Sequence, residues 1–231
     1  MELTRTFLKV ENPVQYLVKD QGKHKVGYAK VKEFNAVTTD RLREALGDMK
    51  RQGADEFVLD LRGNGGGAFQ SALGIAGLFM NDKLITYVMD GDGQRIGFST
   101  KTESVVSTEP LVVWIDGRSA SASEVLAGAL HDDCRALLRG DRTFGKGLIQ
   151  AVYGLSDSSG LILTVAQYVT PRGTNIQGTG ISPDVEGGLP PKLLGLPGDI
   201  DQGQFNMARE RMEACPPIDP KPVASTGALS I

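Results

Sequence analysis

The sequence predicts an α/β fold in which helices pack on a mixed sheet, and three observations predict it. Phe57-Val-Leu-Asp-Leu61 is a short, largely apolar strand of the kind buried between helical layers, and Pro110-Leu-Val-Val-Trp-Ile115 is the strongest strand signal in the chain. Between such strands lie stretches with apolar residues at helical spacing, so strands and helices alternate. With 231 residues, 40% hydrophobic and 23% charged, the chain can bury a sizeable core in one large domain or two small ones.

Taken in order, residues 1–18 mix apolar and polar positions and read as extended, with Leu8, Val10, Val14 and Leu17 among the candidates for burial. Residues 26–34 read as a strand. Residues 40–52 place Leu42, Ala45, Leu46 and Met49 at helical spacing, offer Thr38, Thr39 or Asp40 as an N-cap, and stop near Gly53. After the strand at 57–61, which glycines close, residues 71–80 read as a helix, 84–89 as a strand and 91–97 as a hairpin-like turn region. Residues 123–134 form a helix with Val125, Leu126, Ala129 and Leu130 on one side, and 135–140 lead through a short strand. Residues 150–155 and 160–170 make a β-hairpin turned at Asp157-Ser-Ser-Gly160. Seven of the eleven prolines lie between Pro190 and Pro222, and only residues 204–214 could form a helix there. Residues 1–187 are therefore expected to be the core, and 188–231 a loosely packed or disordered tail.

Composition narrows the function. Lys and Arg number 25 against 28 Asp and Glu, a net charge of −3, so no general affinity for nucleic acid or anionic lipid is expected. The lysines at 19, 23, 25, 30 and 32 read as a solvated face. Cys134 and Cys215 are too few for a zinc ribbon or a disulfide framework, though one bridge stays open, and His24 and His131 complete no metal-ligand spacing. No metal and no cofactor are expected. No apolar run approaches the roughly 18–20 residues that cross a bilayer, and the first residues lack a signal-peptide pattern. Either the protein is intracellular or its targeting segment is missing from this chain.

Chemistry concentrates in three places. Ser121 lies in Arg118-Ser-Ala-Ser-Ala-Ser-Glu124, and Lys146 in Thr143-Phe-Gly-Lys-Gly147. A serine hydroxyl is a poor nucleophile until a neighbour takes its proton, and a lysine can do so when desolvation holds it neutral. Ser121-Ala-Ser-Glu124 before an apolar helix also fits a capping box. Its placement after an apolar strand favours chemistry as well, because tiny residues admit a substrate and a helix N-terminus offers free N–H groups to an oxyanion. Gln150 shares a strand face with Lys146 but stands ~13 Å away on an extended chain, so it could orient the amine only if the chain turns after Gly147. Asp132, the tempting acid, falls roughly 16 Å along the helix from Ser121 and reads as structural. The third place, Asp60-Leu-Arg-Gly-Asn-Gly-Gly-Gly67, satisfies a dinucleotide fingerprint from Gly63 to Ala68 with Asp82 near the acidic position. It can equally supply oxyanion N–H donors, leaving Asp60 and Arg62 as structural partners.

These three motifs, in this order and spacing, resemble the carboxyl-terminal processing peptidases, or tail-specific proteases. The resemblance runs from about residue 3 to residue 185 and includes Tyr168-Val-Thr-Pro171 and Gly180-Ile-Ser-Pro-Asp184. The wording is most similar to the photosynthetic branch, which trims the precursor of the photosystem II reaction-centre protein. The resemblance implies a crotonase/Clp-protease-like fold, Ser121 as nucleophile, Lys146 as general base and Gln150 as the residue holding the lysine. It also implies an oxyanion hole from the backbone N–H of Ala122 and of Gly66 or Gly67. The implied partner is the apolar or uncharged C-terminal tail of a protein substrate, without metal or nucleotide, and a monomer is expected. A chloroplast thylakoid-lumen location follows from the resemblance alone, and peripheral membrane association stays open. Family members usually carry a PDZ domain before the core, which captures the substrate's C-terminus as an added strand. This chain starts where that domain would end, as a fragment or a PDZ-free form would. Retinoid-binding modules resemble these peptidases without being proteases, so a binder is the alternative; retention of Ser121, Lys146 and Gln150 argues against it. A nucleotide-binding dehydrogenase ranks third.

Overall fold

The computed structural model describes residues 11–100, 105–189, 200–216 and 218, so the predicted burial of Leu8 and Val10 lies outside the described residues. Strand β1 (Val14–Gln21) turns at Gly22 into β2 (His24–Val31), and the helix α1 (Thr38–Arg51) follows. Leu42, Ala45, Leu46 and Met49 form its buried stripe, as their spacing predicts. Next come β3 (Glu56–Asp60), α2 (Phe69–Gly77), β4 (Leu84–Asp90), β5 (Arg95–Ser99) and β6 (Leu111–Ile115). Then α3 (Ala122–Asp132), β7 (Leu137–Gly140), β8 (Leu148–Gly154), β9 (Gly160–Val169), β10 (Val185–Glu186) and α4 (Gly203–Glu213) complete the order.

The main sheet has six strands in the order β1-β2-β3-β6-β7-β10, antiparallel at β1/β2 and parallel elsewhere. A second, antiparallel sheet has the order β5-β4-β9-β8. The predicted turn region at 91–97 is thus only partly a turn: Arg95–Ser99 pairs with β4 as β5. β8 and β9 form the predicted hairpin, but β4 reaches only Ala166–Val169 of it.

Alternation along β3 and β6 divides the core in two. Phe57, Leu59, Leu111, Val113 and Ile115 belong to the larger cluster, into which α1, α2 and α3 also pack. Val58, Val112 and Trp114 point the other way, with Val26, Tyr28 and Leu137, and meet Ile200, Phe205 and Ala208. The expectation of a loosely packed tail therefore fails for residues 200–216. Strands apolar on both faces need cover on both, and α4 supplies the second cover. Trp114 Nε1 donates to Gln204 Oε1 at 3.2 Å, Arg139 pairs with Asp201 at 2.8 Å, and Arg209 pairs with Glu56. Cys134, just past α3, and Cys215, just past α4, form the disulfide that the sequence left open, bridging 81 positions.

Candidate active site

Two glycine-rich segments meet at the ends of β3 and β6. Asp60 closes β3 with a fully buried carboxylate that accepts from Tyr28 Oη at 2.6 Å, from Arg62 N at 2.8 Å and from Arg62 Nη2 at 2.7 Å. Lys30 Nζ lies 3.4 Å away, and the Arg62 guanidinium stacks 4.8 Å over Trp114. Burial alone would raise Asp60, but the Arg62 hydrogen bonds and the Lys30 charge hold it below the usual carboxylate range. Burial, with the Asp60 charge beside it, pushes the Tyr28 phenol up. Asp60 and Arg62 brace the loop, the structural role expected of them.

Asn64 fastens that loop to the serine turn. Its Nδ2 donates to Val31 O at 3.0 Å, and its carbonyl accepts Ala120 N at 3.0 Å and Ser123 Oγ at 2.9 Å. Gly66, at φ +104°, could carry no side chain: a Cβ would stand 2.8 Å from Ala120 O and 2.9 Å from Ser121 Cβ. The close approach that a dinucleotide fingerprint reserves for a pyrophosphate is taken here by the chain's own backbone. Gly66 packs on the serine turn, but its N–H is committed to Asn64 Oδ1 at 2.9 Å, while Gly67 packs on the Phe34 backbone. Gly67 N–H and Ala122 N–H have no hydrogen-bond partner among the described residues.

Ser121 sits at the hinge between the turn after β6 and α3, half-buried, with φ +57° and ψ −117°. A non-glycine residue held there costs on the order of 1–3 kcal/mol, so the surrounding structure must impose it. Such a sharp strand-to-helix turn presents a nucleophile at its apex. Ser119 Oγ donates to Leu61 O at 2.9 Å and Phe144 N to Ser119 O at 3.0 Å, fixing the turn from both sides.

The residue that joins serine to lysine is Glu124, which sequence reasoning assigned only to a capping box. Oε2 accepts Ser121 N–H and Lys146 N–H, each at 2.8 Å, and Oε1 accepts Thr143 Oγ1–H and Gly145 N–H, each at 2.6 Å. One fully buried carboxylate at a helix N-terminus thus brings both backbone amides to the same oxygen. The signal was present: a capping-box glutamate needs one acceptor oxygen, which leaves the second for another segment. Thr143 and Gly145 in turn pack on Gly178 and Gly180, and Gly147 N donates to Gln177 Oε1 at 3.0 Å.

The lysine side of the site differs from expectation. Lys146 and Gln150 are both exposed, so the desolvation expected of Lys146 is not supplied by this chain alone. Among the described residues neither side chain forms a hydrogen bond or ion pair, and none joins Lys146 to Ser121 or Gln150. β8 starts at Leu148, straight after Gly147, so the chain runs on extended instead of turning back. Asp132, at the far end of α3, accepts Arg172 N at 2.8 Å and is structural, as expected.

Residues 25–187 match the Peptidase family S41 profile. The chain belongs to that family. It is 40% identical over 211 residues to the C-terminal processing peptidase, chloroplastic, of Tetradesmus obliquus, covering 87% of this chain and 44% of that protein. Carboxyl-terminal-processing peptidase 1, chloroplastic, of Arabidopsis thaliana is 43% identical over 182 residues, covering 77% and 37%. The solved photosystem II D1 C-terminal processing protease superposes with a TM-score of 0.73 at 36% identity, over 91% of this chain and 55% of that one. The chain spans less than half the length of these two curated relatives. The predicted α/β architecture and the resemblance to tail-specific proteases both hold for family S41. Among the described residues no helix is long and apolar enough to cross a membrane.

Proposed function

We propose that this chain is the catalytic core of a serine endopeptidase that cuts near the C-terminus of protein substrates. Ser121 is the nucleophile and Lys146 the general base, and Gln150, which stands away from the amine along the extended β8 of the free chain, orients it once bound substrate bends the strand after Gly147. The Ala122 and Gly67 N–H groups form the oxyanion hole. The observation that carries this reading is the strained Ser121 turn, packed against Gly66, followed by the unpartnered Ala122 amide and tied to the Lys146 backbone through Glu124. In the forward step the neutral Lys146 amine takes the Ser121 hydroxyl proton as Oγ bonds to the substrate carbonyl carbon. The carbonyl oxygen becomes an oxyanion facing the two amides. Collapse breaks the peptide C–N bond, the departing amine takes the proton from Lys146, and water then hydrolyses the acyl-enzyme with the same lysine as base. A bound substrate covers Lys146, supplies the missing desolvation and shortens contacts that are open in the free enzyme.

The relatives' names support a chloroplast setting and the precursor of the photosystem II reaction-centre protein as substrate. A thylakoid-lumen location and a monomeric state are part of the same proposal. The test is hydrolysis of an unstructured protein with an apolar C-terminal tail, comparing wild type with Ser121→Ala and Lys146→Ala in the presence of a chelator. Cleavage by wild type alone, with both variants folded, is expected. Silence from all three would favour a dormant or ligand-binding core, the reading that the exposed Lys146 best accommodates. Cleavage surviving Lys146→Ala would mean that another group is the base.

A further inference from the structure

Beyond Lys146 the chain enters a ribbon whose outer apolar side chains no other described residue buries. Among the described residues, eight of the eleven large hydrophobic side chains that are exposed lie between Phe144 and Leu163. β4 pairs only with the end of β9, so residues 160–165 have β8 as their sole neighbouring strand, and β8 is an edge. The antiparallel register puts Val152 opposite Ile162 on one face, and Ala151 opposite Leu163 and Tyr153 opposite Leu161 on the other. Both faces are therefore apolar. Asp157 is the sole charged residue from position 147 to position 171, and it lies in the polar turn.

Long, flat, apolar edge strands are normally blunted by charge, proline or a bulge because they template pairing with another chain. Here the outer part of the edge keeps none of these, and its inner end is the lysine loop. We propose that the β8 edge receives the substrate polypeptide as an added antiparallel or parallel strand, and that Val152, Ile162, Tyr153 and Leu161 select an uncharged, apolar segment. This deepens the peptidase reading above and rests on it. A strand added to β8 points its side chains alternately to the two faces of the ribbon, so it would use apolar surface on both. A bilayer fits less well: it would have to accept the Ser-Asp-Ser-Ser turn at 156–159 before the apolar pairs, and no basic residue is present to draw the ribbon to lipid. The edge is continuous with the site, because Lys146 lies two residues before β8 and shares Glu124 with Ser121.

The experiment reads binding without cleavage. The Ser121→Ala chain is mixed with a valine- and alanine-rich peptide bearing a free C-terminus, and hydrogen–deuterium exchange is followed across residues 148–154. Protection of those amides is expected. Val152→Asp and Ile162→Asp, at positions 71% and 59% exposed and so tolerant of the change in the free protein, should each weaken peptide binding at least about tenfold by burying an unpaired charge. Methylating alternate amides of the peptide should abolish binding in one register and spare it in the other. Unprotected β8 amides together with unchanged affinity in both variants would overturn the proposal. So would protection that grows with protein concentration without peptide, which means a second copy, or protection by neutral phosphatidylcholine vesicles, which means lipid. Because the serine is absent from the assay, a failure of the chemistry assigned to Ser121 leaves this result readable.

Discussion

The serine half of the site and the lysine half are built on opposite plans. Around Ser121, every neighbouring segment is tied down: Asn64 bonds the glycine loop to the turn, Ser119 holds the turn to Leu61, and Glu124 accepts four donors. Around Lys146 the backbone is equally fixed, but the side chain, Gln150 and the ribbon beyond them stand in solvent. A nucleophile and its oxyanion donors, the roles proposed for Ser121 and for the Ala122 and Gly67 amides, gain from being preorganised before substrate arrives, because their geometry then costs nothing to assemble at the moment of reaction. A lysine base has the opposite need, since it is neutral only when water is excluded, and an occupant that covers it can deliver that exclusion together with the substrate. The difference suggests a site that becomes competent when it is filled.

The largest effect should come from cutting the Glu124 link between the halves. Glu124→Ala strands the N–H groups of Ser121, Gly145 and Lys146 and the Thr143 hydroxyl in a buried pocket, at a cost on the order of 5 kcal/mol. Chemical denaturation should show that loss, and peptidase activity should vanish. Retention of full activity would mean that the two halves are positioned independently, and the comparison would lose its hinge.

The rigid half can also be loosened from behind. The Cys134–Cys215 bridge holds α4 against the face of the main sheet opposite α3, and removing it through Cys134→Ser with Cys215→Ser should cost about 2–4 kcal/mol. Exchange should rise around Trp114 and β7 while the β8–β9 ribbon, which contributes no residue to the cluster around α4, stays as it was. Equal loosening of the ribbon would show that the two regions share one cooperative unit.

Much of this was legible in the sequence, for identifiable reasons. The α1 stripe of Leu42, Ala45, Leu46 and Met49 is a local periodicity, and the strand–turn–helix at Ser121 is a local motif. What could not be read were consequences of tertiary contact. α4 is polar apart from Phe205, Met207, Ala208 and Met212, so its own pattern is weak; the signal for it lay elsewhere, in Val112 and Trp114 facing away from the helices that cover Leu111 and Val113. β5 was hidden because Arg95–Ser99 is short and half-exposed and is a strand only through pairing with β4. The exposure of Lys146 was hidden for the converse reason: flanking glycines indicate a close-packed backbone, which the loop has, but they do not bury the side chain between them.

The smallest expected effect separates the two regions by pH. His131, on α3, has Nδ1 3.2 Å from Asp132 and Nε2 3.2 Å from Asp184, while Arg211 of α4 donates to Asp184 at 2.7 Å and to the His131 carbonyl at 2.9 Å. Arg172, from the loop after β9, donates its backbone N–H to Asp132 at 2.8 Å. Burial would lower His131, but its hydrogen bonds to Asp132 and Asp184 outweigh it and the imidazole is raised above its ordinary value. A group raised on folding contributes stability that is complete below its unfolded value, about 6.5, and is lost as pH climbs through the folded one. The α4 anchor should therefore slacken above neutrality, by under about 1 kcal/mol for a partly solvated ion pair. His131→Asn should remove that slope. The β8–β9 ribbon carries no histidine, so its exchange, corrected for the intrinsic rate, should stay flat over the same range. A slope of equal size in both regions would mean that α4 and the ribbon open together, and that the solvent-facing half of the site is governed by the anchor on the far side of the sheet.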